Sequence, residues 1–181
     1  MKRLIYQVYT GNRSRLYDHC TKSVMEYALK YDIDYVCQNR PIMMIKPDIF
    51  ATNRSKESYE KYGGFLPIYE KENAFDYFDR YDQICIIDAD IWVRPEAPNI
   101  FLELDNFGGT TEFAGVVERM APILPWYKQK LAGYTRMQYA NLGKVDWEWN
   151  EDGALFYNMG LMLMDKKITK YLNGQTGKQF I

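Results

Sequence analysis

The chain of 181 residues has no apolar run approaching the roughly 18 residues that a membrane-spanning helix needs. Met1-Lys2-Arg3 is followed only by Leu4 to Tyr9 before the polar turn Thr10-Gly11-Asn12, too short for the apolar core of a secretion signal. A cytoplasmic protein without a transmembrane segment is therefore expected. Lysines and arginines number 23 against 24 acids and form no dense block, so the electrostatic footprint of a nucleic-acid binder is missing. Cysteine is scarce: Cys20, Cys37 and Cys85 sit in apolar-patterned segments without CxxC spacing. That pattern suggests neither a disulfide framework nor a zinc site and reads as buried thiols in a reducing compartment. Histidine is scarcer still. His19 stands beside Cys20 in a helical pattern, where it reads as structural or exposed.

What is present is ordinary for a globular domain. Hydrophobic residues make up 47% and charged residues 26%, proportions that argue against disorder and against a fibrous chain. The length suits one domain, residues 1–181. The aromatic share of 16% could serve sugar stacking, although packing accounts for most aromatics in most proteins.

Leu4 to Tyr9 reads as a first strand that ends in the Thr10-Gly11-Asn12 turn. Ser14 can cap a helix over about residues 15–31, with Leu16, Cys20, Val24 and Leu29 at near-helical spacing and Glu26–Lys30 as an i,i+4 pair. Ile33 to Cys37 gives a second strand, so the chain opens βαβ and implies a parallel sheet. A long connection from Gln38 to Gly64, with one short helix at most, precedes a helical pattern over 67–80 that offers Ile68, Phe75 and Phe78 to a core. Gln83 to Ile87 is the most continuous apolar strand, the pattern of a strand covered on both faces. Further expectations are a short helix over 100–104, a strand over 113–117, a helical piece over 126–131, a strand ending the run 155–164 and a helix over 167–172. The ending Lys178-Gln179-Phe180-Ile181 reads as the middle of a helix, as in a shortened chain.

Asp88-Ala89-Asp90 stands at the carboxyl end of the central strand, where open α/β sheets gather ligands. Two carboxylates at i and i+2 on extended backbone point to one side and offer hard anionic oxygens suited to Mg²⁺ or Mn²⁺. Such ions complete their shell with water and substrate phosphates, so the ligand implied is a nucleoside diphosphate compound. The competing reading is a pair of turn residues before Pro95. The apolar character of the flanking Ile86-Ile87 and Trp92-Val93 favours the site, because solvated acids have less costly places to be.

The stretch Ile86-Ile87-Asp88-Ala89-Asp90-Ile91-Trp92-Val93-Arg94 resembles the metal-binding segment of GT-A glycosyltransferases, most closely the retaining family 8 that includes glycogenin and lipooligosaccharide galactosyltransferases. Phe156 to Met164, with Asn158 and Gly160, is similar to that family's Phe-Asn-(small)-Gly strand, in which the Asn contacts donor sugar or acceptor. Tyr9-Thr10-Gly11-Asn12 resembles the nucleotide-binding first turn, and Lys22-Ser23 part of the first helix. The resemblance implies a Rossmann-like α/β fold with a mostly parallel sheet flanked by helices. It further implies Mn²⁺ or Mg²⁺ at Asp88 and Asp90 and a UDP-sugar as donor. The hexose would pass, with retention, to a glycan, lipid or protein acceptor. Tyr9, Thr10, Asn12, Ala89 and Gly160 would line the donor site.

The family places a basic residue on the helix before the metal strand, and Lys71 takes that position; a departing diphosphate needs cationic stabilisation. A solvated lysine in the run Glu70-Lys71-Glu72 is the alternative. By the same resemblance Lys71 and Asn158 are the catalytic candidates. Glu118 matches a position where the family often has an acid near the sugar, against a plain surface acid after a strand. Asp146, Glu148, Glu151 and Asp152, interleaved with Trp147 and Trp149, could bind an acceptor or form a charged loop.

The family also completes its metal site with a downstream histidine, and no histidine follows Asp90. That departure keeps a second reading open, a shortened GT-A-like domain that binds nucleotide-sugar without turnover. A third is a phosphatase of the haloacid-dehalogenase type, which also presents an Asp-x-Asp triplet after an apolar strand. Those triplets follow the first strand near the N-terminus, whereas this one lies mid-chain.

Overall fold

The computed structural model describes residues 1–12, 14–46, 60, 63, 65–106, 113–117, 149–150, 153–154 and 157–181. The chain divides into two compact units, Met1–Ala114 with Gly160–Ile181, and Gly115–Met159. The expected helical piece over 126–131 lies outside the described residues.

In the first unit the apolar run Leu4-Ile5-Tyr6 becomes β1 (Arg3–Val8), followed by α1 (Arg15–Lys30) and β2 (Asp34–Gln38). A 3₁₀ helical segment, Pro67–Asp79, leads into β3 (Gln83–Asp88), and α2 (Leu102–Asn106) comes before β4 (Phe113–Val117), which begins in the first unit and ends in the second. In the second unit β5 (Trp149–Asn150) and β6 (Gly153–Ala154) form an antiparallel pair. The chain then runs through β7 (Tyr157–Asp165), a 3₁₀ segment Lys166–Leu172 and α3 (Gly177–Phe180).

The main sheet has the order β2-β1-β3-β7-β4. β1 pairs in parallel with β2, Leu4 against Asp34 through Val8 against Gln38, and with β3, Arg3 against Gln83 through Val8 against Asp88. β7 runs antiparallel to β3, Gln83 against Asp165 through Ile87 against Leu161. The sheet is thus mostly parallel, as the βαβ opening implies.

Strand alternation sorts the core into two layers. Leu4, Tyr6, Ile84 and Ile86 pack against Ala74 and Phe78 of the helical segment on one face. Ile5, Cys85 and Ile87 pack against Val24, Tyr27 and Ala28 of α1 on the other. Cover on both faces explains why β1 and β3 read as unbroken apolar runs.

The buried stripe of α1 is Cys20, Ser23, Val24, Tyr27 and Ala28. Leu29, expected in that stripe, is exposed, because five residues past Val24 places it on the far side of the helix. Leu16 is exposed in the first turn. Of the apolar residues offered by the 67–80 pattern, Phe78 is buried and Ile68 and Phe75 are half-buried. The buried set there is Glu70, Lys71, Ala74 and Phe78, two of them charged.

Residues 178–180 belong to the short α3, Gly177–Phe180. Thr176 caps α3: its hydroxyl accepts from Gln179 N at 3.3 Å, and its own N–H donates to the Gln179 side chain at 2.9 Å.

Candidate functional site

Because β1, β2 and β3 are parallel and in register, their last residues, Val8, Gln38 and Asp88, fall on one edge of the sheet. Asp88 closes β3 with its side chain about one-third exposed. The two carboxylates do not share extended backbone, as the spacing suggests. Ala89 and Asp90 form a turn closed by Ile91 N donating to Asp88 O at 3.2 Å, and Asp90 is exposed at its tip. The i,i+2 rule ends where the strand ends. Burial pushes the Cys20 thiol of α1 up, and the Asp90 carboxylate pushes it the same way.

The backbone of this turn is held from below by a residue that sequence patterning did not single out. Gln7 is fully buried in β1, and its side-chain amide donates to Asp88 O at 3.0 Å. The Tyr35 hydroxyl donates to Gln7 Oε1 at 2.6 Å and fixes the amide in turn. The available signal was a carboxamide inside an apolar strand, where an unpaired polar group is costly.

The strap after the triplet is tied to α1. Ser23 Oγ accepts from Val93 N at 3.0 Å. The Tyr27 hydroxyl accepts from Ile100 N at 2.7 Å and donates to Pro98 O at 2.7 Å. Tyr31 donates to Ala97 O, and Lys30 to the carbonyls of Pro95 and Ala97. Lys30 is therefore not the partner of Glu26; Lys22 is, at 3.7 Å across exposed solvent. The exposed His19 stacks on Trp92 with an interplanar angle of 16°.

Lys71 reaches the site from the other face of the sheet. Its side chain is buried, and its ammonium forms an ion pair with the Asp88 carboxylate. The solvated-lysine alternative is overturned, since the Glu70-Lys71-Glu72 run faces the protein. Glu70 is wholly buried, and its carboxylate accepts from Ile42 N, Met43 N and Met44 N at 2.8–3.0 Å and from the Gln38 amide at 2.6 Å. Burial alone pushes the Glu70 carboxyl up, but these four donors together outweigh it and hold it below its ordinary value. The same network takes in Asn73, which donates to the Tyr6 hydroxyl at 2.8 Å, while that hydroxyl donates to Gln38. Glu70 thus locks the helical segment onto the end of β2, one residue from Lys71.

The first turn is shaped by Tyr9. Its N–H donates to Gln38 O at 2.8 Å, and its hydroxyl accepts from Ser14 N and donates to Asn12 O. Ser14 occupies the helix N-cap position, but its own hydroxyl makes no cap bond. Thr10 is half-buried and Asn12 exposed. Gly160 is buried on β7, next to Leu161, which pairs with Ile87. Asn158 lies on β7 in the second unit. Glu118, Asp146, Trp147, Glu148, Glu151 and Asp152 lie outside the described residues; Trp149 opens β5.

The structure therefore brings Lys71 and Asp88 into contact, with Asp90 two residues on. Among the described residues no group of three or more His, Cys, Asp or Glu gathers to hold a metal. Asp88 at the sheet edge and Asp90 in the turn after it are hard oxygen donors of the kind a divalent cation takes together with water and phosphate. A cavity of about 480 Å³ lies behind the strap, lined mainly by apolar groups such as Ile87, Ile91, Val93 and Leu161. Asp88, Asp90 and Lys71 are not in its lining, so it is separate from the charged site.

No protein-family model and no curated protein sequence matches the chain. Solved structures do. A glycosyltransferase involved in the glycosylation of the major capsid of PBCV-1 aligns over 97% of this chain and 68% of its own, with a TM-score of 0.51 and 12% identity. A protein from STIV aligns over 94% of this chain and 68% of its own, with a TM-score of 0.45 and 14% identity. The first of these likenesses shows an α/β fold of the kind that glycosyltransferase has, with a mostly parallel central sheet.

Proposed function

We propose that the chain is a GT-A-type glycosyltransferase that binds a nucleotide-sugar, with UDP-hexose as the donor, and transfers the hexose to a glycan, lipid or protein acceptor. The observation that carries this reading is the buried Lys71 paired with Asp88 at the carboxyl edge of the parallel strands, with Asp90 exposed in the turn that follows. The likeness to the capsid glycosyltransferase supports it at the level of fold.

Asp88 and Asp90 would hold Mn²⁺ or Mg²⁺. When bound, the cation supplies charge neutralisation of the diphosphate leaving group. Lys71 contributes a second positive charge from a site largely closed to water, where electrostatic stabilisation is strong. Gln7 fixes the turn, and Tyr9 shapes the loop proposed to meet the nucleoside. Gly160, beside β3, and Asn158 and Glu118 by resemblance, are assigned to the sugar side of the donor. Assignment to the retaining family 8, and with it retention of configuration, rests on the motif resemblance alone.

Titration of UDP in the presence of Mn²⁺, followed by an assay of UDP-glucose and UDP-galactose turnover, tests the reading. Asp90→Ala is expected to abolish metal-dependent UDP binding. Because Asp90 is exposed, unfolding stability should change by no more than about 0.5 kcal/mol. Unchanged UDP affinity in that variant would sink the assignment. Binding without turnover would instead favour a nucleotide-sugar-binding domain.

A further inference from the structure

The cavity behind the strap begins on both sides of the Asp88–Asp90 turn: Ile87 precedes the turn, Ile91 follows it, and both line the space. Tyr27 of α1 and Leu161 of β7 supply further walls, and all of the lining belongs to the first unit. The polar groups around it are already engaged. The Tyr27 hydroxyl bonds Ile100 N and Pro98 O, and the carbonyls of Pro95 and Ala97 accept from Lys30 and Tyr31. These bonds hold the strap to α1, so the space is preformed and its wall is built from side chains such as Val93 and Ala97. At about 480 Å³ it is roughly three times the ~150 Å³ in which an apolar cavity takes up benzene. Water needs several polar partners in such a place, and one aromatic ring would leave most of it empty. A flexible hydrocarbon chain suits both its size and its lining. The solvent side is marked by the exposed Trp92, Arg94 and Glu96. Arg94 and Glu96 pair with each other, so this rim has no net charge and offers hydrogen-bonding groups to an uncharged, hydroxyl-rich head.

We propose that this cavity seats the hydrocarbon chain of the acceptor, a lipid-linked sugar whose head lies at the Arg94–Glu96 rim. The proposal rests on the nucleotide-sugar reading and narrows its acceptor to one class. The rim starts two positions after Asp90, so a seated chain anchors its head along the segment that leaves the donor turn. In the transfer, a hydroxyl oxygen of the head bonds the anomeric carbon of the donor sugar. The bond from that carbon to the diphosphate oxygen breaks, the nucleoside diphosphate leaves with the electron pair, and the hydroxyl proton passes to solvent.

Methyl, butyl, hexyl and octyl β-glucosides, each kept below its micelle concentration, are titrated calorimetrically into the full chain without nucleotide. Affinity should rise by about fourfold per added methylene, the scale of one CH₂ taken out of water. Ala97→Phe, which fills the cavity, should flatten the series, and Leu161→Phe, filling it from β7, serves if the first variant fails to fold. Affinity indifferent to chain length in the wild type, or a series as steep in a folded variant, overturns the seat. A phenyl glucoside that binds as tightly as the octyl one would show that a ring suffices and overturns the assignment to a chain.

With Mn²⁺ and UDP-glucose or UDP-galactose present, octyl glucoside should be glycosylated at a lower KM than methyl glucoside. Binding that depends on chain length while KM does not overturns the acceptor role. An intact chain-length series without metal-dependent UDP binding counts against the nucleotide-sugar reading instead, and the acceptor role falls with it.

Discussion

Glu70, Lys71 and Glu72 carry charge on three successive residues, yet each meets a different environment. Glu70 is saturated with donors and Lys71 is paired, whereas Glu72 Oε2 is sealed from water with no hydrogen-bond partner among the described residues. Burial, with Glu70 adding to it, pushes the Glu72 carboxyl up to about 7 against the smaller opposing pull of Lys71 and a backbone donor. A carboxyl whose folded value lies above its unfolded value of 4.5 favours the fold at low pH and loses that contribution as pH rises through about 7. Glu72→Gln is therefore expected to flatten the stability profile between about pH 5 and about pH 8 and to melt higher than the wild type at the alkaline end. Thermal melts across that range check it; a profile parallel to the wild type's would show that Glu72 titrates normally. At this scale the sequence singled out the Asp88–Asp90 pair, because charge at the end of an apolar run is visible by itself, whereas Lys71, set in a charged run, stood out only by family resemblance. Gln7 and Glu70 stayed hidden because their partners are backbone groups 26 to 81 positions away, which no local pattern encodes.

The helical segment Pro67–Asp79 owes its place to packing on both its sides. Ala74 and Phe78 face the sheet, and α3 lies along it, with Phe75 and Phe180 in edge contact at 6.1 Å. Gly177 makes that contact possible: its N–H donates to Asp76 at 2.7 Å, and a Cβ there would lie 2.1 Å from the Glu72 carbonyl oxygen. Gly177→Ala should cost about 1–3 kcal/mol, since the obstructing atom is backbone and must move with its helix. Urea unfolding measures the cost, and a variant as stable as the wild type would mean that α3 is not seated there. Most element positions were legible to within a few residues, since strands of unbroken apolar character and the near-helical apolar spacing of the first helix are strong local signals. The buried faces were less so. A helix that buries Glu70 and Lys71 contradicts the apolar stripe on which such readings depend, and it does so where the charged site is built.

Across the whole chain, β1 and β3 form the centre of the sheet and are covered on both faces, whereas β2 stands at its edge with one exposed and three half-buried residues. Native-state hydrogen exchange should be slowest in Leu4–Tyr6 and Ile84–Ile87 and measurably faster in Asp34–Cys37. Comparable protection in β2 would contradict the strand order. The parallel opening was readable from the βαβ order. The antiparallel placement of β7 was not, because partner choice between strands distant in sequence leaves no mark on either strand alone.

The Asp88–Asp90 turn is held through main-chain atoms, by the Gln7 amide from beneath and by Ile91's own N–H across it, and the strap that follows is tied through the Val93 amide. None of those bonds uses the side chain at 90. The protein has therefore separated its socket from its contacts: position 90 can be rewritten without rebuilding the turn. On the proposed reading of Asp90 as a cation ligand, a histidine or asparagine there should change which ions bind while the architecture stands, so cation preference would be open to retuning at one residue.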